Sequence, residues 1–338
     1  MTNNRYSRQM LFPAIGETGQ KKIQSSTAVI VGCGALGTVI ANNLCRAGVK
    51  RLRIVDRDFV EESNLQRQSL FTEKDAEQQL PKAVAAARHL TLVNSTVSVE
   101  PVVADVHPKN IEKLLDGADI VLDATDNLET RFLLNDACIK NGIPWVYGGA
   151  VGSEGMVMPV IPGETACLRC LIEDLPPPGA LPTCERAGIL NATSGAVASL
   201  QTAAALRILV GAGVWTASLL SLDVWKGEFK SLTAARRSDC PVCRHRRFEF
   251  LEGKGISWTT VLCGRNAVQI TPSQERAVDL DQLARSLPQD GCVRLNGFLL
   301  NIRVDKWEII VFPNGRAMIK GTVDEALARS LYAKHVGH

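Results

Sequence analysis

Short aliphatic runs alternate with longer stretches of helical periodicity through the first 150 residues of the chain. Runs such as 28–31 and 52–55 have the length and β-branched content of buried strands, and apolar residues spaced three and four positions apart follow them. Strands that alternate with helices form right-handed crossovers within a parallel sheet. The pattern therefore predicts an α/β fold with a mostly parallel sheet.

The predicted elements of this half follow an N-terminal helical arm at 5–24, which Pro13 and Gly16 interrupt. Pro81 stands at a position where the start of a helix tolerates proline best. The predicted strands are 28–31, 52–55, 97–103, 119–124 and 145–147. The predicted helices are the segment that ends at Gly48, followed by 82–94, 110–115 and 129–141.

After Val151 the pattern changes to strands bounded by glycine and proline, such as 155–161. The most apolar stretch, 196–215, is rich in alanine and contains Gln201 and Arg207, so we expect a buried helix rather than a membrane span. Segments 218–223 and 228–232 predict a hairpin, and glycines at 253 and 255 predict a linker. The remaining predicted elements are strands 267–270, 293–295, 298–304 and 307–312, and helices 280–286 and 323–336.

We therefore expect a main domain at residues 1–252 and a small α+β module at residues 253–338. Within the main domain, the alternating pattern places a nucleotide-binding half at about 25–150 and a second half at about 151–252. No residue pattern in the C-terminal module is typical of catalysis.

Residues 28–56 follow the order strand, glycine turn, helix, strand and acid. The turn reads Gly32-Cys-Gly34-Ala35-Leu-Gly37, and the second strand ends at Asp56. The glycines permit a tight turn and a close approach of backbone to phosphate, and the acid can hold a ribose hydroxyl. The order predicts a doubly wound, Rossmann-like sheet that binds an adenine nucleotide; the alternative is a turn that serves packing only.

Polar side chains are expected to meet at the carboxyl edge of this sheet. Asp56 follows one strand, and Asp126 with Asn127 follows another, at the edge where α/β sheets bind ligands. Arg67, in the polar loop 63–68, and Lys82 are cations that can neutralise phosphates, and Asp126 is a candidate Mg²⁺ ligand. The alternatives are solvated surface charges for the two cations, and a helix N-cap for Asp126.

Two CxxC pairs, Cys167-Leu-Arg-Cys170 and Cys240-Pro-Val-Cys243, are candidate metal ligands. Four thiolates in two such pairs are typical of a closed tetrahedral zinc site, which leaves no position for substrate and is structural. Zinc would join distant segments, so we expect it to staple the C-terminal half of the main domain. The alternatives are unpaired core cysteines or a redox-active CxxC.

Cys184 belongs to neither pair and follows a loop that contains three consecutive prolines. We expect that loop to be exposed, and Arg186 would stabilise a thiolate there, so Cys184 is a candidate reactive thiol. The alternative is a bystander cysteine.

Composition narrows the classes of function. The net charge is +3 and aromatic residues make up 5% of the chain, which disfavours a nucleic-acid-binding protein. The chain has 10 cysteines and no apolar signal segment at its N-terminus, which is typical of a reducing compartment. We expect a cytoplasmic location without integral membrane contact.

Several motifs in this order resemble the ThiF/MoeB/HesA family, the bacterial relatives of ubiquitin-activating enzymes. The resemblance covers about residues 5–247. It is carried by Arg5-Tyr-Ser-Arg8-Gln9, the glycine turn, Asp56-Arg-Asp58, Ser63-Asn64-Leu-Gln-Arg67-Gln68, Pro81-Lys82, Asp123-Ala-Thr-Asp126-Asn127, both CxxC pairs and Thr183-Cys184.

The resemblance implies an enzyme that uses ATP to adenylate the C-terminal Gly-Gly of a β-grasp sulfur-carrier protein. The carrier would be ThiS-like, for thiamine thiazole, or MoaD-like, for molybdopterin. The implied nucleotide site includes the glycine turn and Asp58. In it, Asp56 would bind ribose, Gly34 and Ala35 would line the nucleotide, Asn64, Arg67 and Lys82 would hold phosphates, and Asp126 would bind Mg²⁺ beside Asn127.

The resemblance also implies a homodimer in which Arg8 reaches into the nucleotide site of the other subunit. The carrier carboxylate is already ionised at neutral pH, so the reaction needs positioning and charge neutralisation rather than a base. The hypothesis for Cys184 is that in ThiF-like members it attacks the activated carboxyl or captures sulfur there, whereas MoeB-like members do not need that thiol. The tail lacks a rhodanese-like loop, so we expect a separate sulfurtransferase.

Two other functions compete with this interpretation. A nicotinamide-dependent oxidoreductase could use the same glycine turn, but it leaves the CxxC pairs and the 63–68 loop unexplained. A non-catalytic scaffold could bind a β-grasp protein, but it does not need Arg67, Lys82 and Asp126.

Overall fold

The computed structural model describes residues 4–174, 187–215, 219–253, 259–262, 266–271, 277–287 and 293–336. The chain forms two compact units. The larger comprises Met1–Glu77 and Pro81–Gly255, and the smaller comprises Gln78–Leu80 and Ile256–His338. The three residues 78–80 therefore belong to the smaller unit although they lie within the sequence of the larger one.

The larger unit contains an eight-stranded sheet in the order β3-β2-β1-β4-β5-β6-β7-β8. The first five strands of that order are parallel, and β6, β7 and β8 continue the sheet in antiparallel pairing. The predicted α/β class and mostly parallel sheet are confirmed. The strands are β1 Thr27–Val31, β2 Arg51–Asp56, β3 Ser98–Val103, β4 Ile120–Asp123, β5 Trp145–Val151, β6 Glu154–Val160, β7 Leu219–Asp223 and β8 Glu228–Leu232.

Strand β1 lies at the centre of the parallel part. Its residue Ala28 pairs with Leu52 of β2 on one side and with Ile120 of β4 on the other. All three side chains are fully buried, as expected for a parallel sheet covered on both faces. After β1 the chain adds β2 and then β3 on one side of it, and later adds β4 and β5 on the other side. The direction in which strands are added therefore reverses between β1 and β4. Open α/β sheets bind ligands at such a reversal.

The predicted helices of the larger unit are present in the predicted order, and two short helices, at Glu73–Glu77 and Leu168–Leu171, were not predicted. The N-terminal arm is helical on both sides of an interruption at 11–15, as Pro13 and Gly16 predicted. The helices are α1 Ser7–Met10, α2 Gly16–Ile23, α3 Ala35–Ala47, α4 Glu73–Glu77, α5 Lys82–Val93, α6 Ile111–Leu115, α7 Leu128–Asn141, α8 Leu168–Leu171 and α9 Asn191–Val210, with short 3₁₀ turns at Asn4–Tyr6 and Glu62–Asn64.

Helix α9 begins and ends earlier than the predicted 196–215. It ends because Gly211 adopts the left-handed conformation with a φ of 84°, which closes a helix at little cost. Its length and apolar composition would suffice to cross a membrane, but 44% of its apolar window is buried inside the protein. The side chain of Gln201 donates to the carbonyl oxygen of Asp123 at 2.7 Å, which ties the helix to the end of β4.

The smaller unit contains a six-stranded sheet in the order β11-β12-β13-β14-β10-β9, antiparallel throughout. One face packs its aliphatic side chains, including Val268, Leu300 and Ile309, against Ala328 and Leu331. The elements are β9 Thr259–Leu262, β10 Ala267–Ile270, β11 Val293–Leu295, β12 Leu300–Val304, β13 Trp307–Val311 and β14 Ala317–Lys320, with helices α10 Leu280–Ser286 and α11 Glu325–His335.

Sequence analysis missed β9 and β14 of this unit. Each has four residues, the same length as β10, which was predicted, so length alone does not explain the difference. Strand β14 forms because Ile319 pairs with Val268 on one side and with Ile309 on the other. Ile309 lies in the strand that immediately precedes β14, whereas Val268 is remote in the sequence, so only the pairing with β10 is a long-range tertiary effect.

Candidate functional site

The glycine turn between β1 and α3 uses its three glycines differently. Gly32 has a φ of 93°, and a Cβ there would overlap the carbonyl oxygen of Ala124. A Cβ at Gly37 would overlap the carbonyl oxygen of Gly32. At Gly34 the nearest atom would lie 3.7 Å away, in ordinary contact. Gly32 and Gly37 therefore serve the packing of the turn, and Gly34 is the position of the three that can border a ligand.

Asp56, the last residue of β2, faces this turn. Its Oδ2 accepts the N–H of Cys33 at 2.5 Å, and its Oδ1 accepts the N–H of Asp58 at 2.7 Å. Burial raises the pKa of Asp56, while the neighbouring Lys82 ammonium lowers it. A carboxylate oxygen can accept more than one hydrogen bond. Asp56 is thus held in one orientation and can still accept a bond from a hydroxyl, as its predicted role at ribose requires.

Lys82 begins α5 and is buried, with 3% of its surface exposed. Its backbone N–H donates to the carbonyl oxygen of Asp58 at 2.9 Å, and its Nζ lies 3.4 Å from Asp58 Oδ2. Arg57 pairs with Asp105 at 3.0 Å. Burial tends to lower the pKa of Arg57, but the carboxylates of Asp105, Asp58 and Asp126 raise it above its ordinary value. Two fixed cations therefore stand among these acids.

The polar loop before α4 presents Asn64 and Arg67. Asn64 is buried, and its Oδ1 accepts the N–H of Glu61 at 3.1 Å, which closes a capping box around the 3₁₀ turn. Arg67 is half-buried and its Nη1 donates to the carbonyl oxygen of Ser63 at 2.9 Å. The loop is therefore held by its own side chains.

Gln68 occupies the same loop and was missed as a site residue by sequence analysis. Its side chain is 3% exposed, and within the described residues its Oε1 is a buried atom without a hydrogen-bond partner. Its Nε2 is the nearest atom to the open side of Gly34. Buried amide oxygens are rarely left unsatisfied. The orphaned oxygen beside the open glycine indicates a place where a ligand donates a hydrogen bond.

Arg131 of α7 holds the loop that follows β4. Its Nε lies 3.1 Å from Asp123 Oδ2, and its Nη2 donates to the carbonyl oxygens of Thr125 at 2.6 Å and Gly148 at 3.0 Å. Burial raises the pKa of Asp123, and the Arg131 guanidinium lowers it. Because Thr125 immediately precedes Asp126, this contact sets the backbone that presents Asp126 at the edge of the sheet.

Asn127, and not Asp126, is the N-cap of α7. Its Oδ1 accepts the N–H of Thr130 at 2.8 Å, and its backbone is extended as a cap requires. The alternative interpretation of Asp126 as the cap is therefore wrong. Asp126 is exposed and lies in the field of Arg57 and Arg131, so its carboxylate can meet a hard cation.

Together, the residues at the carboxyl ends of β1, β2 and β4 form what we call the nucleotide rim. It consists of the glycine turn, Asp56, Arg57, Asp58, Asn64, Arg67, Gln68, Lys82, Asp126 and Arg131. The rim combines firmly held cations with carboxylates of unequal exposure. Such an arrangement can neutralise phosphate oxygens on one side and hold a cation on the other.

The four CxxC cysteines come together at one place. The Sγ–Sγ distances are 3.9 Å for Cys167–Cys170, 3.6 Å for Cys167–Cys240 and 3.4 Å for Cys170–Cys243, and all four sulfurs lie within 4.8 Å of one another. A tetrahedral site with Zn–S bonds of about 2.3 Å requires sulfurs about 3.8 Å apart. The observed separations match that requirement.

The chemistry of the four thiols also suits a cation. Hydrogen bonds with Cys170 and Cys240 raise the pKa of Cys167, and burial raises the pKa of Cys243 to about 11. Hydrogen bonds with Cys167 and Cys240 instead lower the pKa of Cys170, so the thiols ionise unequally. A divalent ion binds the thiolate form and stabilises it. Cys167 and Cys240 are fully buried, which leaves little access for a redox partner. The cluster is able to bind a metal.

Helix α7 anchors both CxxC segments. Asn135 Oδ1 accepts the N–H of Leu168, and Asp136 Oδ2 accepts the N–H of Phe250, each at 2.9 Å. The Arg169 guanidinium lies 5.1 Å from the centre of the Phe132 ring. Burial raises the pKa of Asp136 to about 7, against the effect of its hydrogen bond with Phe250. The helix whose first turn follows Asp126 thus supports the cysteine cluster with its middle turns.

The remaining predicted site residues fall in two groups. Arg8 lies on α1 and is exposed, and no second subunit is present to test its predicted reach. Cys184, with Arg186, lies outside the described residues, so its predicted reactivity stays a prediction. Sequence analysis missed Arg57, Gln68 and Arg131 as members of the rim. For Arg57 a signal existed, because it stands between the two acids of the Asp56-Arg-Asp58 motif.

Comparison with known proteins identifies the family of the chain. The chain matches the ThiF family over residues 6–242. It is 47% identical over 336 residues to the "Sulfur carrier protein ThiS adenylyltransferase" of Bacillus subtilis, covering 98% of this chain and 99% of that protein. It is 40% identical over 246 residues to the "Sulfur carrier protein adenylyltransferase" of Thermus thermophilus, covering 71% of this chain and 90% of that protein.

Among solved structures, Escherichia coli MccB crystallised with ATP is similar, with a TM-score of 0.63 and 23% sequence identity. The match covers 72% of this chain and 75% of MccB. At this identity it shows a common fold and nothing more. The Bacillus alignment extends through the C-terminal unit, whereas the Thermus alignment does not span the whole chain.

Proposed function

Because the chain belongs to the ThiF family, we propose that it is an ATP-dependent adenylyltransferase that activates the C-terminal carboxylate of a sulfur-carrier protein. The observation that carries the proposal is the nucleotide rim. Arg57 pairs with Asp105 and Lys82 with Asp58, next to Asp56, which accepts the N–H of Cys33 in the glycine turn. Arg67 precedes Gln68, whose Nε2 borders the open side of Gly34. The rim suits a polyphosphate better than a nicotinamide, for which the described residues offer no evident proton donor. The cations and carboxylates of the rim would also have no role in a protein that only binds a β-grasp partner without catalysis.

The reaction requires little acid–base chemistry from the protein. The carrier carboxylate, ionised at neutral pH, attacks the α-phosphorus of ATP; a new C–O–P bond forms and pyrophosphate leaves. The chain contributes orientation through Asp56 at the ribose and Gly34 beside the nucleotide, and positive charge through Arg67 and Lys82 at the phosphates. Lys82 is already desolvated and held by Asp58, so it needs little reorganisation when phosphate arrives.

We assign Asp126 as the residue that would hold Mg²⁺, since its carboxylate is exposed at the rim and hard oxygen ligands suit that ion. Magnesium would supply charge neutralisation at the phosphates. We assign Zn²⁺ to the four cysteines on the sulfur spacing, where it would act structurally. Asn127 is expected to act mainly through its cap of α7.

The carrier we propose is ThiS-like, since the relative from Bacillus that matches this chain along nearly its full length is named for that carrier. A MoaD-like carrier is the competing outcome. We further propose that the protein is a homodimer in which Arg8 of one subunit reaches the nucleotide of the other, that it is cytoplasmic, and that a separate sulfurtransferase supplies sulfur. Cys184 remains the candidate thiol for the later transfer.

The test is ATP–pyrophosphate exchange with purified carriers. We expect exchange of radiolabelled pyrophosphate into ATP only when a Gly-Gly-ended carrier is present, and faster exchange with a ThiS-like than with a MoaD-like carrier. The matched control is the same carrier without its terminal glycine, which should not support exchange. Exchange that is absent with both carriers, or that does not need a carrier, would contradict the proposal.

A further inference from the structure

Residues Gln78–Leu80 connect the polar loop and α4 to α5, yet they belong to the C-terminal unit. They lie immediately before Pro81 and Lys82. Leu80 is 5% exposed, so the connection is packed rather than open to solvent. A segment of the C-terminal unit thus ends two residues before the proposed phosphate-binding lysine.

The side chain of Asn296 holds this segment. Asn296 lies in the turn between β11 and β12, and its Nδ2 donates to the carbonyl oxygens of both Gln78 and Gln79 at 3.0 Å. Its Oδ1 accepts the N–H groups of Phe298 at 3.1 Å and Leu299 at 3.0 Å. One amide therefore fixes the turn with its oxygen and the segment before Lys82 with its nitrogen.

Gln79 adopts a backbone conformation that needs such support. Its φ is 48°, in the left-handed region that residues other than glycine rarely adopt. Its side chain receives a second contact, from Asn301 Nδ2 to Gln79 Oε1 at 3.5 Å, and Asn301 is itself buried. Unfavourable backbone conformations persist only where the surroundings impose them, and they concentrate at functional sites.

The chain after Gln79 passes this constraint to Lys82. Pro81 forms a bridge with Phe59, and the N–H of Lys82 donates to the carbonyl oxygen of Asp58 at 2.9 Å. Only Leu80 stands between the held Gln79 and that bridge. Rotation of the 78–80 peptides would change the direction in which the chain enters α5, and with it the position of the Lys82 ammonium.

We propose that Asn296 is a positioning residue for Lys82, and that the C-terminal unit acts on ATP binding through its hold on Gln78–Leu80. The proposal rests on the proposed function, in which Lys82 binds phosphate. It assigns a role to a unit for which the sequence indicated none. The unit does not touch substrate in this proposal; it sets the conformation of the peptide that leads to Lys82.

The decisive variant is Asn296→Asp. It keeps an oxygen for the β11–β12 turn but replaces the donor to Gln78 and Gln79 with an oxygen that repels their carbonyls. We expect KM for ATP in carrier-dependent exchange to rise about fivefold, the effect of losing a typical hydrogen bond, with a smaller change in kcat. Lys82 should also become more reactive toward an amine-acylating reagent, measured by mass spectrometry of the labelled peptide.

The matched control is Asn314→Asp. Asn314 also stands in a turn of this unit, and its Oδ1 accepts the N–H of Arg316 at 3.2 Å, a contact within that turn. We expect this variant to leave KM for ATP and Lys82 labelling unchanged. Equal effects of the two substitutions would mean that both only loosen the unit, and the proposal would be overturned.

A double variant tests the role of the backbone at Gln79. Glycine adopts positive φ without strain, so Gln79→Gly combined with Asn296→Asp should bring KM for ATP back to within about twofold of the parent. No recovery, or no effect of Asn296→Asp at all, would overturn the proposal. If the parent protein shows no exchange, the proposed function fails, and Lys82 labelling still decides the proposal on its own.

Discussion

The nucleotide rim and the cysteine cluster are built on opposite principles. At the rim, charged side chains such as Arg67 and Asp126 lie on loops. They are at least partly exposed to solvent and can form further contacts with a ligand. In the cluster, Cys167 and Cys240 are fully buried and the four sulfurs lie within 4.8 Å of one another. Unused capacity at an accessible edge is what binding and catalysis require, whereas a closed set of ligands can only stabilise the fold.

Helix α7 connects the two regions without making them alike. Arg131 in its second turn holds the loop at the rim, and Asn135 and Asp136 hold the backbone around the cysteines. The comparison therefore predicts that changes in the cluster act on stability, and that changes at the rim act on rate. Three predictions test that division, beginning with the largest effect.

Replacement of Cys240 should produce the largest loss of stability. Cys240→Ala leaves three ligands for a buried ion, and structural zinc sites contribute roughly 10 kcal/mol or more of binding free energy to folding. We expect loss of bound zinc, measured by atomic emission, together with a large fall in melting temperature. The control Cys138→Ala removes a buried cysteine outside the cluster and should keep zinc. Unchanged metal content in the Cys240 variant would refute the assignment of the cluster.

Replacement of Asp126 should affect rate and leave stability intact. Asp126→Asn removes a charge from an exposed side chain, so we expect a melting temperature within a degree or two of the parent, as for ordinary surface substitutions. Removal of one transition-state contact typically lowers kcat by roughly 100-fold or more. Carrier-dependent pyrophosphate exchange measures the effect.

The control for that experiment is Asp116→Asn. Asp116 is also exposed but precedes β4, at the opposite end of the strand from Asp126. Loss of a carboxylate there should change neither rate nor stability. If both variants exchange at the parental rate, Asp126 does not hold the cation that the reaction needs.

The smallest predicted effect concerns pH and the support of the cluster. Burial raises the pKa of Asp136 to about 7, so the folded protein retains a proton that the unfolded chain releases near pH 4. Its contribution to stability is therefore present below about pH 4 and is lost as the pH rises through about 7. In Asp136→Asn the free energy of unfolding should therefore change less with pH than in the parent, by about 2 kcal/mol between pH 5 and 8.

Denaturant unfolding at a series of pH values, with zinc saturating in both proteins, measures that difference. We expect kcat of Asp136→Asn at neutral pH to stay close to the parental value, because Asp136 stabilises the cysteine cluster and is not a residue of the nucleotide rim. Parallel stability curves for the parent and Asp136→Asn would show that Asp136 does not titrate in this range.

Much of the rim was predictable because its motifs are short in sequence. The glycine turn and Asp56 belong to one strand–helix–strand unit, so their proximity follows from local structure. Arg57 was overlooked although it adjoins Asp56, because only Asp105 and Asp126, which lie distant in the sequence, reveal its charged environment. Gln68 was overlooked because an amide becomes informative only when its burial without a partner is known.

The sequence by itself determined the alternation of strands and helices, the turn at Gly32–Gly37 and the pairing of CxxC motifs. These follow from periodicity and from ligand spacing, which are properties of neighbouring residues. Only the tertiary structure decided that Asn127 rather than Asp126 caps α7, that the sulfurs stand at bonding distance for one ion, and that Asn296 holds Gln79. The sulfur cluster and the Asn296 contacts join residues that are remote along the chain, and local pattern carries no information about which remote groups will meet. The cap is local, but Asp126 and Asn127 are neighbours of residue types that both favour the cap position, so the pattern does not distinguish them.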